Sequence, residues 1–129
     1  MPNHQSVLVV EDEDLIREFS AEVLVDAGFD VVVVDDGDAA LEALGGSADP
    51  FCALYTDVNL GPGPDGWAVA RRGRELNNVL PVVYVTAASS HEWQANGVPN
   101  SILLAKPCTP DQIVEAVTVV LKTTDKPAT

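Results

Sequence analysis

The sequence predicts a single α/β domain built on a doubly wound, five-stranded parallel sheet with helices on both faces. Three observations carry that prediction. Short apolar, β-branched runs alternate with stretches of helical spacing along the whole chain. Within several of the runs, successive residues are apolar, the pattern of strands covered on both faces. The length of 129 residues suits one domain near the commonest size, able to fold without disulfide staples.

Taken in order, the first run is Ser6–Val10, followed by four acids, Glu11, Asp12, Glu13 and Asp14. Ile16, Phe19, Val23 and Ala27 then recur at helical spacing, which predicts a helix packed through those side chains and capped at Gly28. Glu13 and Asp14 fit its start, where acids favour the positive end of the helix dipole. Residues 31–34 are a second β-branched run, and Ala40, Leu41 and Leu44 mark a short helix ending at Gly45-Gly46. Residues 51–56 predict the third strand, which stops at Asp57. The breaker-dense loop 60–66 precedes a helix from about Trp67 to Leu76, weakened at Gly73 by about 1 kcal/mol relative to alanine.

Pro81 opens a fourth strand over residues 82–85 that ends at Thr86. Ser89 and Glu92 have capping-box spacing, but the helix they start holds one large apolar residue, Trp93, before Gly97 and Pro99 end it. Ser101–Ala105 is the fifth strand, ending at Lys106-Pro107. The last helix has the fullest start signal: Thr109 as N-cap, Pro110 at the first helical position and Gln112 completing a capping box. Ile113, Ala116, Val117, Val120 and Leu121 then form a full apolar stripe. Residues 1–122 read as the domain and residues 123–129 as a short polar tail.

Lys and Arg number 7 against 20 Asp and Glu, a formal charge of −13. Such a surface repels phosphate backbones and anionic bilayers, so neither direct nucleic-acid binding nor membrane binding is expected; a protein partner or a cation is compatible. No apolar run approaches the ~18 residues of a membrane span, and the polar start lacks a signal-peptide core, which predicts a cytoplasmic protein. Cys52 and Cys108 are too few for a disulfide framework and are expected to be reduced and mostly buried.

In open α/β sheets, ligands bind outside the carboxyl ends of the strands, at the point where strand order reverses. Glu11 and Asp12 follow the first strand, Asp57 the third, Thr86 the fourth and Lys106 the fifth. Three carboxylates sharing one small site disfavour joint ionisation unless a cation joins them. Oxygen donors with an open water face suit Mg²⁺, and no Cys/His cluster supports zinc. Acids after a strand also serve as helix N-caps. Lys106, one of three lysines, stands between an apolar strand and a proline, an odd place for a purely solubilising charge.

In these features the sequence resembles the response-regulator receiver domain, the phosphoacceptor module of two-component signalling, from about Val7 to Leu121. The residues that carry the resemblance are Val-Val-Glu11-Asp12-Glu13, Tyr55-Thr56-Asp57-Val58-Asn59-Leu60, Asp65-Gly66-Trp67, Val85-Thr86-Ala87 and Ala105-Lys106-Pro107. Each is weak alone; their order and spacing together are specific. The resemblance implies a flavodoxin-like sheet of order 2-1-3-4-5. It implies that Asp57 takes a phosphoryl group from a phosphohistidine on a histidine kinase or phosphotransfer protein. It further implies that Asp12, Asp57 and the backbone carbonyl of Asn59 ligate Mg²⁺, with Glu11 acting through water. Thr86 then donates to the bound phosphoryl group, Lys106 pairs with the carboxylate and later the phosphoryl oxygens, and the peptide before Pro107 is cis. A phosphoacceptor of this kind assists its own phosphorylation and dephosphorylation and is not otherwise an enzyme.

The sequence also departs from the family pattern. The position three before the lysine, commonly Tyr or Phe and part of the switch, is Leu103. The Gly-Pro-Gly-Pro loop after Asp57 is expected to carry one additional residue. Glu11 stands for the commoner Asp, and Cys108 for a bulkier apolar residue. Arg71, Arg72 and Arg74 form the one local basic cluster and read as a solvated helix face. The main reading is a stand-alone receiver, monomeric or weakly dimeric, signalling to an unknown downstream protein. The alternative is a receiver fragment of a larger hybrid kinase or transcription regulator. An enzyme reading is disfavoured: the acids after the first strand would repel a flavin phosphate, and Asn59 breaks the Asp-x-Asp of aspartyl phosphatases.

Overall fold

The computed structural model describes residues 6–46, 51–87 and 92–125. Its elements alternate throughout: β1 (Ser6–Val10), α1 (Asp14–Asp26), β2 (Asp30–Val34), α2 (Gly37–Gly46), β3 (Ala53–Asp57), α3 (Gly66–Leu76), β4 (Val82–Thr86), α4 (Trp93–Asn96), β5 (Ser101–Ala105) and α5 (Pro110–Asp125). All neighbouring strands run parallel, in the order β2-β1-β3-β4-β5. The chain steps outward from β1 to β2 and then crosses to β3 on the other side. The reversal point therefore lies between β1 and β3, where the acids stand.

The continuous apolar runs are explained by two cores. Leu8, Val10, Leu54, Val82 and Tyr84 face Ala40 of α2 and Trp67, Val69 and Ala70 of α3. The alternate residues Val7, Val9, Tyr55, Val83 and Val85 face Leu24 of α1 and Ile113, Ala116, Val117 and Val120 of α5. Successive side chains point to opposite faces, and both faces are covered. Each fully buried Val or Leu contributes roughly 1.5–3 kcal/mol. β2 is the exception: it is an edge strand, and Val32 and Val33 remain 42% and 44% exposed.

α1 turns a different face inward from the one its spacing suggests. Ser20 and Leu24 are buried, Ile16 and Val23 are half-buried, Ala27 is exposed, and Phe19 is 41% exposed. A serine escaped the apolar pattern because its small side chain fits beside the Tyr55 hydroxyl, with which it hydrogen bonds. Gly28 takes φ +102° just beyond the helix, as a C-terminal cap requires. α3 starts at Gly66, with Asp65 accepting from Ala68 N–H at 2.9 Å. In α5, Thr109 and Gln112 make both bonds of the capping box, at 2.8 and 3.2 Å. That helix continues to Asp125, so residues 123–125, read as tail from their polarity, are helical. α4 is a single short helix of four residues preceded by Glu92, and Ser89 lies outside the described residues. Both cysteines are free but only half-buried. Cys52 precedes β3 and Cys108 follows β5, so neither is enclosed between sheet and helix.

Gly66, the first residue of α3, packs directly against the end of β3, its N–H donating to Val58 O at 2.8 Å. A Cβ there would lie 2.3 Å from the Asp57 carbonyl oxygen and 2.8 Å from Val58 Cα, both backbone atoms. At Gly45, within α2, nothing lies within 4 Å of such a Cβ. Gly66→Ala should therefore cost about 2 kcal/mol or more through overpacking, whereas Gly45→Ala should be neutral or stabilising by up to about 1 kcal/mol. Urea-unfolding midpoints at unchanged slope test the pair, and equal losses at both sites would refute the steric argument.

Candidate functional site

Three backbone bonds carry the sheet's ladder one step beyond the strands and hold the site residues. Glu11 N–H donates to Val34 O at 3.2 Å, Val58 N–H to Val85 O at 3.0 Å, and Lys106 N–H to Thr86 O at 2.9 Å. The register sets Val10 beside Thr56, Asp57 beside Val85 and Thr86 beside Ala105, so the strand ends lie at one level. Side chains that are 45 to 95 positions apart in sequence thereby meet at the reversal point.

One carboxylate oxygen from each of Glu11, Asp12 and Asp57 falls within 4.8 Å of the others. Asp57 is 6% and Glu11 3% exposed, while Asp12 is exposed at the rim. The Lys106 ammonium lies 3.0 Å from Asp57 Oδ2 and 3.0 Å from Glu11 Oε1. The second contact joins residues that follow β1 and β5, two strands separated by β3 and β4, so only the tertiary structure brings it about. Asp57 Oδ1 accepts from Asn59 N–H at 3.3 Å, and Glu11 Oε2 from Glu13 N–H at 3.2 Å. Arg17 donates to the Glu11 carbonyl at 3.0 Å, pinning the start of α1 to the site. Thr86 is buried at the end of β4. The Lys106–Pro107 peptide is cis.

These charges are not balanced. Burial, and then the Asp57 carboxylate, push the Glu11 carboxyl from its ordinary 4.5 up to about 7; Lys106 and the Glu13 N–H offset only part of this. Burial opposes the Lys106 charge, but its bonds to Asp57 and Glu11 outweigh that and raise its pKa. Fully ionised, three carboxylates and one ammonium leave two negative charges. A divalent hard cation matches that charge, and the donors are all oxygens, so the residues fit Mg²⁺.

Around this centre lie two hollows. One, of about 410 Å³, opens between α1 and the β5–α5 connection, lined by Ile16, Phe19, Tyr55, Cys108 and Ile113, with Glu11 and Lys106 at its polar end. It accounts for the partial exposure of Phe19 and Cys108. The other, of about 430 Å³, is acidic, formed by Asp12, Asp35, Asp36 and Asp38 against residues 60–63. The Gly-Pro-rich loop closes against α2: a Cβ at Gly37 would lie 2.2 Å from the Pro64 carbonyl oxygen. Leu103 is half-buried on β5 beside Tyr84 and lies outside the carboxylate cluster. The arginines of α3 are less free than a solvated face. Arg72 pairs with Glu75 at 2.8 Å, but Arg74 donates to Leu80 O at 2.6 Å and Arg71 to Asn96 O at 3.3 Å.

A family model described as the response regulator receiver domain matches residues 7–118. The chain is 32% identical over 103 residues to the response regulator receiver protein CpdR of Brucella abortus, covering 78% of this chain and 83% of that protein. It is 33% identical over 115 residues to the sensor histidine kinase RcsC of Escherichia coli, covering 88% of this chain but only 12% of the kinase. Among solved structures, a response regulator receiver protein from Sinorhizobium medicae WSM419 matches with a TM-score of 0.89 and 38% identity, over 92% of this chain and 95% of that one. No helix among the described residues is long and apolar enough to cross a membrane.

A carboxyl whose pKa is higher in the folded than in the unfolded chain takes up a proton on folding. The stability this provides is fully present below about 4.5 and is lost as pH rises toward about 7. With a chelator present, stability should therefore fall between about pH 5 and about pH 7.5, and Glu11→Gln should flatten that fall. Urea unfolding across this range measures it; an unchanged slope in the variant would place the dependence elsewhere.

Proposed function

The chain belongs to the response regulator receiver family of two-component signalling, and from that premise we propose that Asp57 is its phosphoacceptor. The observation that supports this most directly is the convergence of Glu11, Asp12 and Asp57 with the Lys106 ammonium, 3.0 Å from Asp57 Oδ2. A carboxylate is a competent nucleophile at neutral pH. An Asp57 oxygen forms the O–P bond as the N–P bond of a donor phosphohistidine breaks. The freed imidazole nitrogen keeps the electron pair. Water later hydrolyses the acyl phosphate and restores the carboxylate, so the mark is temporary.

Phosphoryl transfer depends on positioning and charge neutralisation more than on covalent chemistry by the protein. Asp12, Asp57 and the backbone carbonyl of Asn59 are the proposed direct ligands of Mg²⁺, with Glu11 acting through water. When bound, the ion neutralises charge on the transferring oxygens. Lys106 exchanges its carboxylate contact for the phosphoryl oxygens, and Thr86 donates its hydroxyl to them. Asn59 N–H already bonds Asp57 Oδ1 and so orients the nucleophile. Leu103 takes no part in the chemistry.

In this reading the protein is a signalling phosphoacceptor without turnover on external substrates. Its donor is a histidine kinase or histidine phosphotransfer protein, and its output passes through protein contacts, in the cytoplasm, as a monomer or weak dimer. The charge of −13 argues against nucleic acid as a direct target. The match to a short stretch of a sensor kinase supports a second context, a receiver within a larger hybrid protein. The chemistry at Asp57 is the same in both.

Incubation with Mg²⁺ and a small acyl-phosphate donor should add one phosphoryl group by intact mass. The gain should vanish in Asp57→Ala and with chelator. Labelling at another residue, or none with any donor or kinase, would overturn the assignment.

A further inference from the structure

At β2 the edge of the sheet carries backbone groups and apolar side chains that the chemistry at Asp57 does not use. Among the described residues β2 has one neighbour, β1, so no strand covers its outer side. Glu11 N–H donates to Val34 O, which shows that the backbone of Val34 faces β1. Backbone groups alternate in direction along a strand, so Val32 faces β1 as well, whereas the N–H and C=O groups of Val31 and Val33 point outward. The side chains alternate through the sheet. Val31 packs into the α1–α5 core and Val34 into the α2–α3 core, which places Val33 on the first face and Val32 on the second. Both are exposed, so neither helical layer fully covers the last strand.

Natural sheets commonly blunt such an edge with a lysine, a proline or a bulge. β2 has none of these: four valines follow one another, and the pairing with β1 is unbroken from Asp30 to Val34. Its charges stand only at the ends, and all are negative. Asp30 precedes the valines, and Asp35 and Asp36 follow them. Asp36 is held there by accepting from Ala39 N–H at 2.7 Å. Asp12 and Asp38 share a hollow with Asp35 and Asp36, so negative charge is densest at the carboxyl end of the strand. Between Arg17 and Arg71 the chain holds no lysine or arginine to offset it. These acids oppose pairing between two copies of the chain. Antiparallel, Asp30 of one copy would approach Asp35 and Asp36 of the other; parallel, like ends would meet. In both directions carboxylate faces carboxylate, between chains of −13 each.

We propose that the β2 edge is a docking site for an extended, cationic segment of a partner protein, which adds to the sheet as a further strand. The outward groups of Val31 and Val33 supply two donors and two acceptors for its backbone. Val32 and Val33 offer apolar contacts on the two faces, and the flanking acids select lysine or arginine at both ends of the segment. Main-chain bonds then give affinity, while side chains and charges give specificity. The site is separate from Asp57 and does not depend on its phosphorylation.

A blocked peptide of sequence Lys-Val-Thr-Val-Thr-Lys is a probe with this pattern. Titrated into the full chain at low salt and followed by amide NMR, it should bind saturably and slow hydrogen exchange at Val31 and Val33 while leaving Val32, which faces β1, little changed. The same peptide with glutamate at both ends should not bind. Val33→Pro removes one outward donor without touching the β1 ladder and should weaken binding about tenfold. Asp30→Asn combined with Asp35→Asn should weaken it about threefold or more, and added salt should erase that difference. Circular dichroism checks that each variant keeps its fold; if the proline variant does not, the asparagine variant and the exchange pattern decide. Equal binding of both peptides, unchanged exchange at Val31 and Val33, or no binding overturns the docking site. A dimer in sedimentation that Val33→Pro dissociates would assign the edge to a second copy and overturn the choice of partner.

Discussion

The structure turns on an electrostatic conflict: Glu11, Asp12 and Asp57 are held within reach of one another at a largely dry strand end, with a single ammonium opposite. Like charges this close resist joint ionisation, and burial adds to the cost. The protein resolves the conflict only in part. Lys106 bridges the two buried carboxylates, and Glu11 keeps its proton to about neutral pH. A divalent cation entering between these carboxylates would therefore meet a site already ordered and short of positive charge. The rigidity comes from ladder bonds that continue past the strands, so the chemistry stands on the sheet rather than on loops.

The same sheet separates the two faces of the site. Toward α1 and α5 lies an apolar hollow with Glu11 and Lys106 at its edge and Cys108 in its lining. Toward α2 and α3 lie the acidic hollow under the Gly-Pro loop and the buried hydroxyl of Tyr84. Thr86 shares a strand face with Tyr84, whereas Lys106 contacts the carboxylates. Among the described residues, no buried side-chain nitrogen or oxygen lacks a hydrogen-bond partner, so any rearrangement near the site must exchange one bond for another.

Legibility in the sequence varied with how local the cause was. The capping box of α5 and the positive φ at Gly28 involve residues a few positions apart, and both are as the sequence reads. The inward face of α1 differs from its apolar spacing: Ser20 is buried against the Tyr55 hydroxyl, a polar pairing that no hydrophobic pattern encodes. β2 carries a run of valines as apolar as β1, yet two of them are exposed, because edge position is a property of topology. The arginines of α3 look like a solvated cluster in sequence, but two of them reach across to carbonyls on other segments.

By itself the sequence determined the alternation of strands and helices, the parallel architecture and the identity of the residues at each strand end. These follow from local periodicity and from the rule that crossovers are right-handed. Only the tertiary structure decided that Lys106 serves Glu11 as well as Asp57, that Glu11 is pushed toward neutrality, and that Tyr84 holds Val98. Those depend on distances across β1, β3, β4 and β5, and on how much water burial removes. Neither quantity is written in the spacing of residues along one chain.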